Sequence, residues 1–238
     1  MKKLFFLSFI LLSISILSQE PSFYLRYGKW KNNLGNTTLT FSNLVELGKD
    51  MGLEDKSSNT WGFLYRGLKH RFSFELFSST LKENIVLDKD IEFGGTTFNK
   101  GQEVETYFKV EIKEFEYWYP VFSTPLFRTG IILGVDQIKT KSMIEEVSVK
   151  TDETFPYIGF GNTIISPRSK VYIDILLTAT QYKDITSMNG KIETGLDITS
   201  SIGLYMGLKK VKIEIEDKSS YNLDFDMASF YVGAYLRF

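Results

Sequence analysis

Residues 230–238, FYVGAYLRF, alternate without a break. Phe230, Val232, Ala234, Leu236 and Phe238 fall on one side of an extended chain; Tyr231, Gly233, Tyr235 and Arg237 fall on the other. Soluble domains ordinarily trail off into solvated, poorly ordered residues. This run instead keeps its period of two up to an aromatic residue. A strand with one oily and one polar face must set the oily face against something apolar. What that something is decides the fold.

The pattern recurs upstream. In KVYIDILLTATQ (170–181), Val171, Ile173, Ile175, Leu177 and Ala179 oppose Tyr172, Asp174, Thr178 and Thr180, with Leu176 the one apolar intruder. In TGLDITSSIGLYMG (194–207), Leu196, Ile198, Ile202, Leu204 and Met206 oppose Gly195, Asp197, Thr199, Ser201, Gly203 and Tyr205. KKVKIEIED (209–217) sets Val211, Ile213 and Ile215 against Lys210, Lys212, Glu214 and Glu216. Tight junctions fall at GLKH (67–70), YPVFSTP (119–125), SPRSK (166–170) and GLKK (207–210). Longer polar segments lie near 32–58, 83–103, 139–154, 183–193 and 217–226. The spacing predicts ten strands, at 22–31, 59–67, 70–82, 104–119, 126–138, 155–165, 170–182, 194–207, 209–216 and 227–238. Eight or twelve stay open if the first two long segments hide or lose a strand pair. An even number, with short turns at one end and long loops at the other, describes an all-β, transmembrane, antiparallel up-and-down barrel. Most segments reach the ~9–11 residues that a tilted strand needs to cross a bilayer.

A soluble barrel or sandwich alternates too, so other signals separate the two. MKKLFFLSFILLSISILS (1–18) runs from Lys2 and Lys3 through an apolar core to Ser13, Ser15 and Ser18, the order of a secretory signal peptide. That core runs about 14 residues, short of the ~20 a spanning helix needs. Residues 1–18 are therefore expected to be a cleaved signal and 19–238 the barrel. The polar faces carry Gly130, Gly134, Gly159, Gly161, Gly195, Gly203 and Gly233 beside Arg128, Asp136, Asp174 and Asp197. Glycine on a solvated face weakens a sheet; in a crowded lumen it makes room for long neighbours.

With these residues in view, the chain resembles the small bacterial outer-membrane β-barrel proteins of the transmembrane porin-like superfamily. The signal peptide, the alternating strands and FYVGAYLRF carry the resemblance. It implies a bacterial outer-membrane location and outer-membrane lipid around the barrel. It also implies an assembly signal, read by the barrel-assembly machinery, at Phe230, Val232, Ala234, Leu236 and Phe238. A sheet in hydrocarbon must have no open edge, so the last strand is expected to pair with SFYLRYGKW (22–30). Trp61, Tyr117, Tyr119, Phe122, Phe127 and Phe238 suit interfacial girdles. In TYFKVEIKEFEYWYP, Phe108, Val110 and Ile112 keep one parity and Phe115, Tyr117 and Tyr119 the other. A bulge near Lys113–Glu114 would reconcile them.

Chemistry is sparse. The chain has no cysteine, which removes disulfides, thiolate metal sites and cysteine nucleophiles. Its net charge is −1, with 28 basic against 29 acidic residues, unlike the basic excess of a nucleic-acid binder. By family analogy, enzymes on such barrels mostly use histidine, and the single one here, His70, falls in a turn expected on the periplasmic side. The acidic runs Glu111, Glu114, Glu116 and Glu214, Glu216, Asp217 read better as parts of lumen ion pairs than as acid–base catalysts. Lys109, Lys113, Lys210 and Lys212 stand among the available counter-charges. Arg26, Arg66, Arg71, Glu75, Arg128, Asp136, Asp174, Asp197 and Arg237 are the expected lumen charges. KDIEFGGTTFNKGQE lacks the strand–loop–helix context of a phosphate loop and reads as a hairpin above the membrane. No cofactor or metal is expected. In the first long segment, Leu44, Leu47 and Met51 fit helical spacing, with Ser42 or Asn43 as a cap, and form a plug or lid at the barrel mouth. The expected protein is a non-enzymatic, monomeric barrel with a largely filled lumen and an envelope or surface-loop role. The alternative is a narrow channel or binding barrel for small or hydrophobic solutes.

Overall fold

The computed structural model describes residues 21–33, 36–41, 44–53, 57–67, 70–166, 170–216 and 221–238. The signal segment, and Ser42 and Asn43 as caps, lie outside the described residues. Fourteen strands follow in chain order: β1 (Ser22–Asn33), β2 (Thr38–Thr40), β3 (Leu44–Glu46), β4 (Ser57–Arg66), β5 (Arg71–Val86), β6 (Ile91–Phe93) and β7 (Thr96–Phe98). Then come β8 (Glu103–Ser123), β9 (Phe127–Ile144), β10 (Val147–Ser166), β11 (Val171–Tyr182), β12 (Ile185–Asp197), β13 (Ile202–Glu216) and β14 (Asn222–Arg237).

Ten of them, β1, β4, β5 and β8 to β14, pair antiparallel with their chain neighbours, and β14 returns to β1 to close the sheet. The closing register runs from Tyr24 opposite Arg237 to Asn33 opposite Ala228. At its lower end the Phe23 N–H donates to the Phe238 carbonyl at 3.2 Å, and the Phe238 N–H donates to the Phe23 carbonyl at 2.9 Å. No ladder edge of the cylinder is therefore left open, as hydrocarbon requires.

Side-chain parity then sorts the two faces. Phe23, Leu25, Leu133, Ile158, Ile192, Leu204 and Val232 all point outward and lie exposed. Such a continuous apolar belt in water would exceed what a soluble monomer shows; in a bilayer it is the lipid-facing band. On β11 the band covers residues 171–179, about 30 Å along the strand and about 23 Å of thickness at a ~40° tilt. Aromatic residues flank it. Tyr27 and Trp61 meet at 4.6 Å on its upper margin, and Phe72, Tyr117 and His70 pack in a row along its lower margin.

Four expectations need correction. GLKK (207–210) is no turn: β13 runs straight through it, and the reversal lies at 198–201. The four-residue turn preserves parity, so Leu196, Ile198, Ile202 and Leu204 read as one strand. The segments 139–154 and 183–193 are not loops either. β9 and β10 run up to a two-residue turn at Glu145–Glu146, and β11 and β12 up to one at Lys183–Asp184. Glu145 (φ 52°) and Lys183 (φ 53°) take the left-handed conformation that such tight hairpins require. Third, β8 has no bulge at Lys113–Glu114, where its register with β5 and β9 is continuous; the irregularity sits at Pro120–Phe122. Finally, residues 44–51 form no helix. They make β3 and the turn after it, and β3 pairs with β2, which itself pairs antiparallel beside the upper end of β14.

The third correction exposes the logic of the interior. Phe108, Val110 and Ile112 point inward, whereas Phe115, Tyr117 and Tyr119 point outward, at unbroken parity. The surroundings change along the strand while its geometry does not. Below, lipid lies outside and polar groups inside; above, water lies outside and an apolar core inside.

Candidate functional site

The interior divides into three storeys. At the top, Phe77, Leu81, Phe108, Ile138, Phe155, Ile213 and Phe225 of the barrel wall form one buried cluster with Leu39, Val45, Leu47, Met51 and Leu53 of the first long segment. The β6–β7 hairpin adds Ile91, Phe93 and Phe98 to it. Phe41 packs edge-on against Phe93 at 5.2 Å. Leu47 and Met51 are fully buried in this cap, but Leu44 faces outward and is half exposed. The three residues thus do not share one face, because the segment is a strand and turns rather than a helix. The Thr106 hydroxyl anchors the segment by donating to the Met51 carbonyl at 2.7 Å.

The middle storey is ionic. Glu193, almost fully buried, accepts from Arg26 at 2.5 Å, from the Tyr172 hydroxyl at 2.9 Å and from the Tyr231 hydroxyl at 3.0 Å. Lys191 bridges Glu75 at 3.3 Å and Glu193 at 3.4 Å. Lys209 meets Glu114 at 2.6 Å, and Asn189 donates to Asp136 at 3.4 Å. The Arg26 guanidinium also lies 4.0 Å from the centre of the Tyr205 ring. Cavities left among these groups measure about 10 Å³ each, at most the room for a single water.

Glycines make this packing fit. Tyr235 lies directly across from Gly203, and Tyr172 across from Gly195; a methyl group on either glycine would overlap the opposing ring. The aromatic ring covers the gap that the missing side chain leaves in the sheet.

The bottom storey opens, at the end of the barrel where Phe23 pairs with Phe238, through a vestibule of about 220 Å³. Asp174, buried, accepts from Arg66 at 3.1 Å, Arg71 at 3.0 Å and the Thr163 hydroxyl at 2.6 Å. Arg71 also lies 3.9 Å from Glu116. Arg237 lies 3.8 Å from Asp197 and donates through Nε to the Ser22 hydroxyl at 3.2 Å. Arg128 lines the same vestibule. His70 sits at its rim in the β4–β5 turn, exposed, with Nδ1 2.8 Å from the Tyr117 hydroxyl.

Arg26, Glu75 and Asp136 therefore stand in the middle storey, and Arg66, Arg71, Arg128, Asp174, Asp197 and Arg237 in the vestibule. Lys109, Lys113, Lys210 and Lys212 instead lie on the outer face above the lipid band, with Glu111 and Glu214. That outer surface is salt-bridged: Lys139 holds Asp152 at 2.6 Å, and its hydrogen bond keeps the carboxyl below the usual range. Lys191, Glu193 and Lys209, the heart of the ionic storey, were absent from the expected lumen charges. Lys191 and Glu193 fell at the end of a supposed loop and Lys209 within a supposed turn. Their own alternation with Met188, Gly190, Ile192 and Leu208 was the signal that marks them. Among the described residues, no group of three His, Asp or Glu side chains is arranged to hold a metal ion.

Closed antiparallel sheet, oily girdle and ionic interior together define a transmembrane, antiparallel up-and-down β-barrel. Among solved structures, the chain is similar to the outer membrane protease OmpT of Escherichia coli, with TM-score 0.52 and 10% identity over 92% of this chain and 96% of that one. It also aligns with Ail, the attachment invasion locus protein of Yersinia pestis (TM-score 0.39, 11% identity, 92% and 100% covered). A third likeness is Neisserial surface protein A (TM-score 0.37, 12% identity, 92% and 98% covered). At these identities the likeness to OmpT establishes the fold alone. No protein-family model matches the chain, and no curated protein matches it in sequence.

Proposed function

We propose that this protein is a non-enzymatic, monomeric barrel that does not conduct solutes and acts as an envelope element presenting a rigid outer tip. The observation that carries this reading is the occluded lumen. A solute entering from the periplasm meets the Arg26–Glu193–Lys191 network, with about 10 Å³ of space between its members, and beyond it a hydrophobic cap. A narrow passage would need both storeys to part. His70 supports the non-enzymatic side of the reading: it lies at the periplasmic rim beside Tyr117, away from the extracellular tip. Assembly through the 230–238 strand and a surround of outer-membrane lipid complete the proposal.

Planar-bilayer recording tests it. The expected trace is indistinguishable from that of the bare bilayer. A Leu47→Ser, Met51→Ser variant is expected to stay silent as well, because loosening the cap leaves the ionic storey in place. Stable, ion-selective conductance from the native protein would end the reading.

A further inference from the structure

The vestibule is built differently from the storey above it. In the middle storey cations and carboxylates interlock and fill the space. Below it, Arg66, Arg71, Arg128, Lys170 and Arg237 face Asp174, Asp197 and the more distant Glu116 around about 220 Å³ of open volume. One carboxylate, Asp174, serves two guanidinium groups, and Asp197 reaches its arginine only at 3.8 Å. Among the described residues that line it, basic side chains thus outnumber carboxylates, and they converge on a concave, partly desolvated space whose inner end is closed by the ionic network.

We propose that this vestibule is a binding site, entered from the periplasm, for a small phosphate-bearing dianion. Guanidinium groups present forked donors that match phosphate oxygens in pairs. The volume is many times that of the single-water gaps in the storey above, room for a phosphate group with a short substituent. Screening is weak there, since low-dielectric walls surround the charges. The Arg66 guanidinium is already oriented, stacked over the Tyr172 ring at 4.4 Å, so binding orders little that is not ordered beforehand. Because the lumen above is filled, the anion is held rather than passed. The phosphate has two sources, a soluble phosphate ester or the headgroup of a periplasmic-leaflet lipid, and the site's chemistry is the same for both.

Calorimetric titration of the detergent-extracted protein tests this, with glycerol 3-phosphate in one arm and short-chain phosphatidic acid in the other. Glycerol and short-chain phosphatidylcholine serve as controls lacking net charge. Saturable binding in the first arm assigns a soluble ester, and in the second alone a lipid headgroup; either supports the proposal. Removing one charge-assisted contact, by Arg128→Gln or Arg237→Gln, is expected to weaken binding about tenfold, and Lys212→Gln on the outer face to leave it unchanged. Lys170→Gln, in an exposed turn, supplies a variant whose folding is undisturbed and is expected to weaken binding in the same direction. The proposal is overturned if neither phosphate compound binds at millimolar concentration in low salt, or if the vestibule variants bind as the native protein does. Conductance is a separate measurement, so this inference and the closed-lumen reading fail independently.

Discussion

Replacing Glu193 by leucine tests whether the lumen is dry and filled or wet and open. The native carboxylate, on β12, answers Arg26 on β1 and the hydroxyls of Tyr172 and Tyr231. Its loss strands a buried guanidinium, which costs about 3–5 kcal/mol when no water reaches it. Each orphaned hydroxyl adds about 1 kcal/mol or more. The expected total is roughly 5–7 kcal/mol, enough to shift the urea unfolding midpoint of the vesicle-embedded barrel well outside error. Trp30, buried beside Tyr231 with ring centres 5.1 Å apart, is a fluorescence reporter close to the perturbation. The double variant Arg26→Met, Glu193→Leu removes both charges together. It is expected to recover most of the loss, since a buried ion pair is often replaceable by well-packed apolar groups. Lys191 keeps Glu75 as its partner in either case. A loss below about 1 kcal/mol in the single variant, the value of a water-screened surface pair, would mean that solvent floods the middle storey, and the closed-lumen reading would fall with it.

Two further outcomes are expected. Phe238→Ala retains both backbone hydrogen bonds to Phe23 and removes a ring that is 76% exposed. It should therefore leave the unfolding midpoint of the assembled barrel nearly unchanged while lowering the folded fraction in outer membranes, as read by gel mobility without heating. Equal folded fractions would refute the assembly role. Gly203→Ala places a methyl group into the Tyr235 ring and is expected to cost about 1–3 kcal/mol by overpacking. Adding Tyr235→Ala should relieve that part of the cost, and strict additivity of the two substitutions in urea titrations would rule the Gly–Tyr contact out.

The cylinder and its closure were legible because lipid imposes a simple rule on the band. From Phe230 on β14 to Phe238 just beyond it, and from Phe23 to Tyr27 on β1, every outward position is apolar or aromatic. The upper half was harder to read because the rule reverses there. On β9 the outward residues pass from Leu133 and Val135 to Gln137, Lys139 and Lys141, while the inward ones pass from Gly134 and Asp136 to Ile138 and Ile144. Interposed Thr140 and Ser142 made that stretch look polar on both sides, and a strand passed for a loop. Assigning charges to the lumen depends wholly on parity, so the same misreading carried Lys109 and Lys210 inward and overlooked Lys191 and Glu193. The pairing itself had no local trace: Arg26 and Glu193 lie 167 residues apart in the chain.

The β9–β10 hairpin continues nine residues past the oily band, from Asp136 to Ile144. At ~3.4 Å per residue and a ~40° tilt, its apex stands about 23 Å clear of the hydrocarbon. It behaves as a mast stiffened by its own keel of aliphatic and aromatic ballast, where other barrels fly loose streamers. Whatever grips the masthead from outside meets a shape already set. Little chain freedom is lost in the grip, and affinity there follows from fit rather than from a struggle against motion.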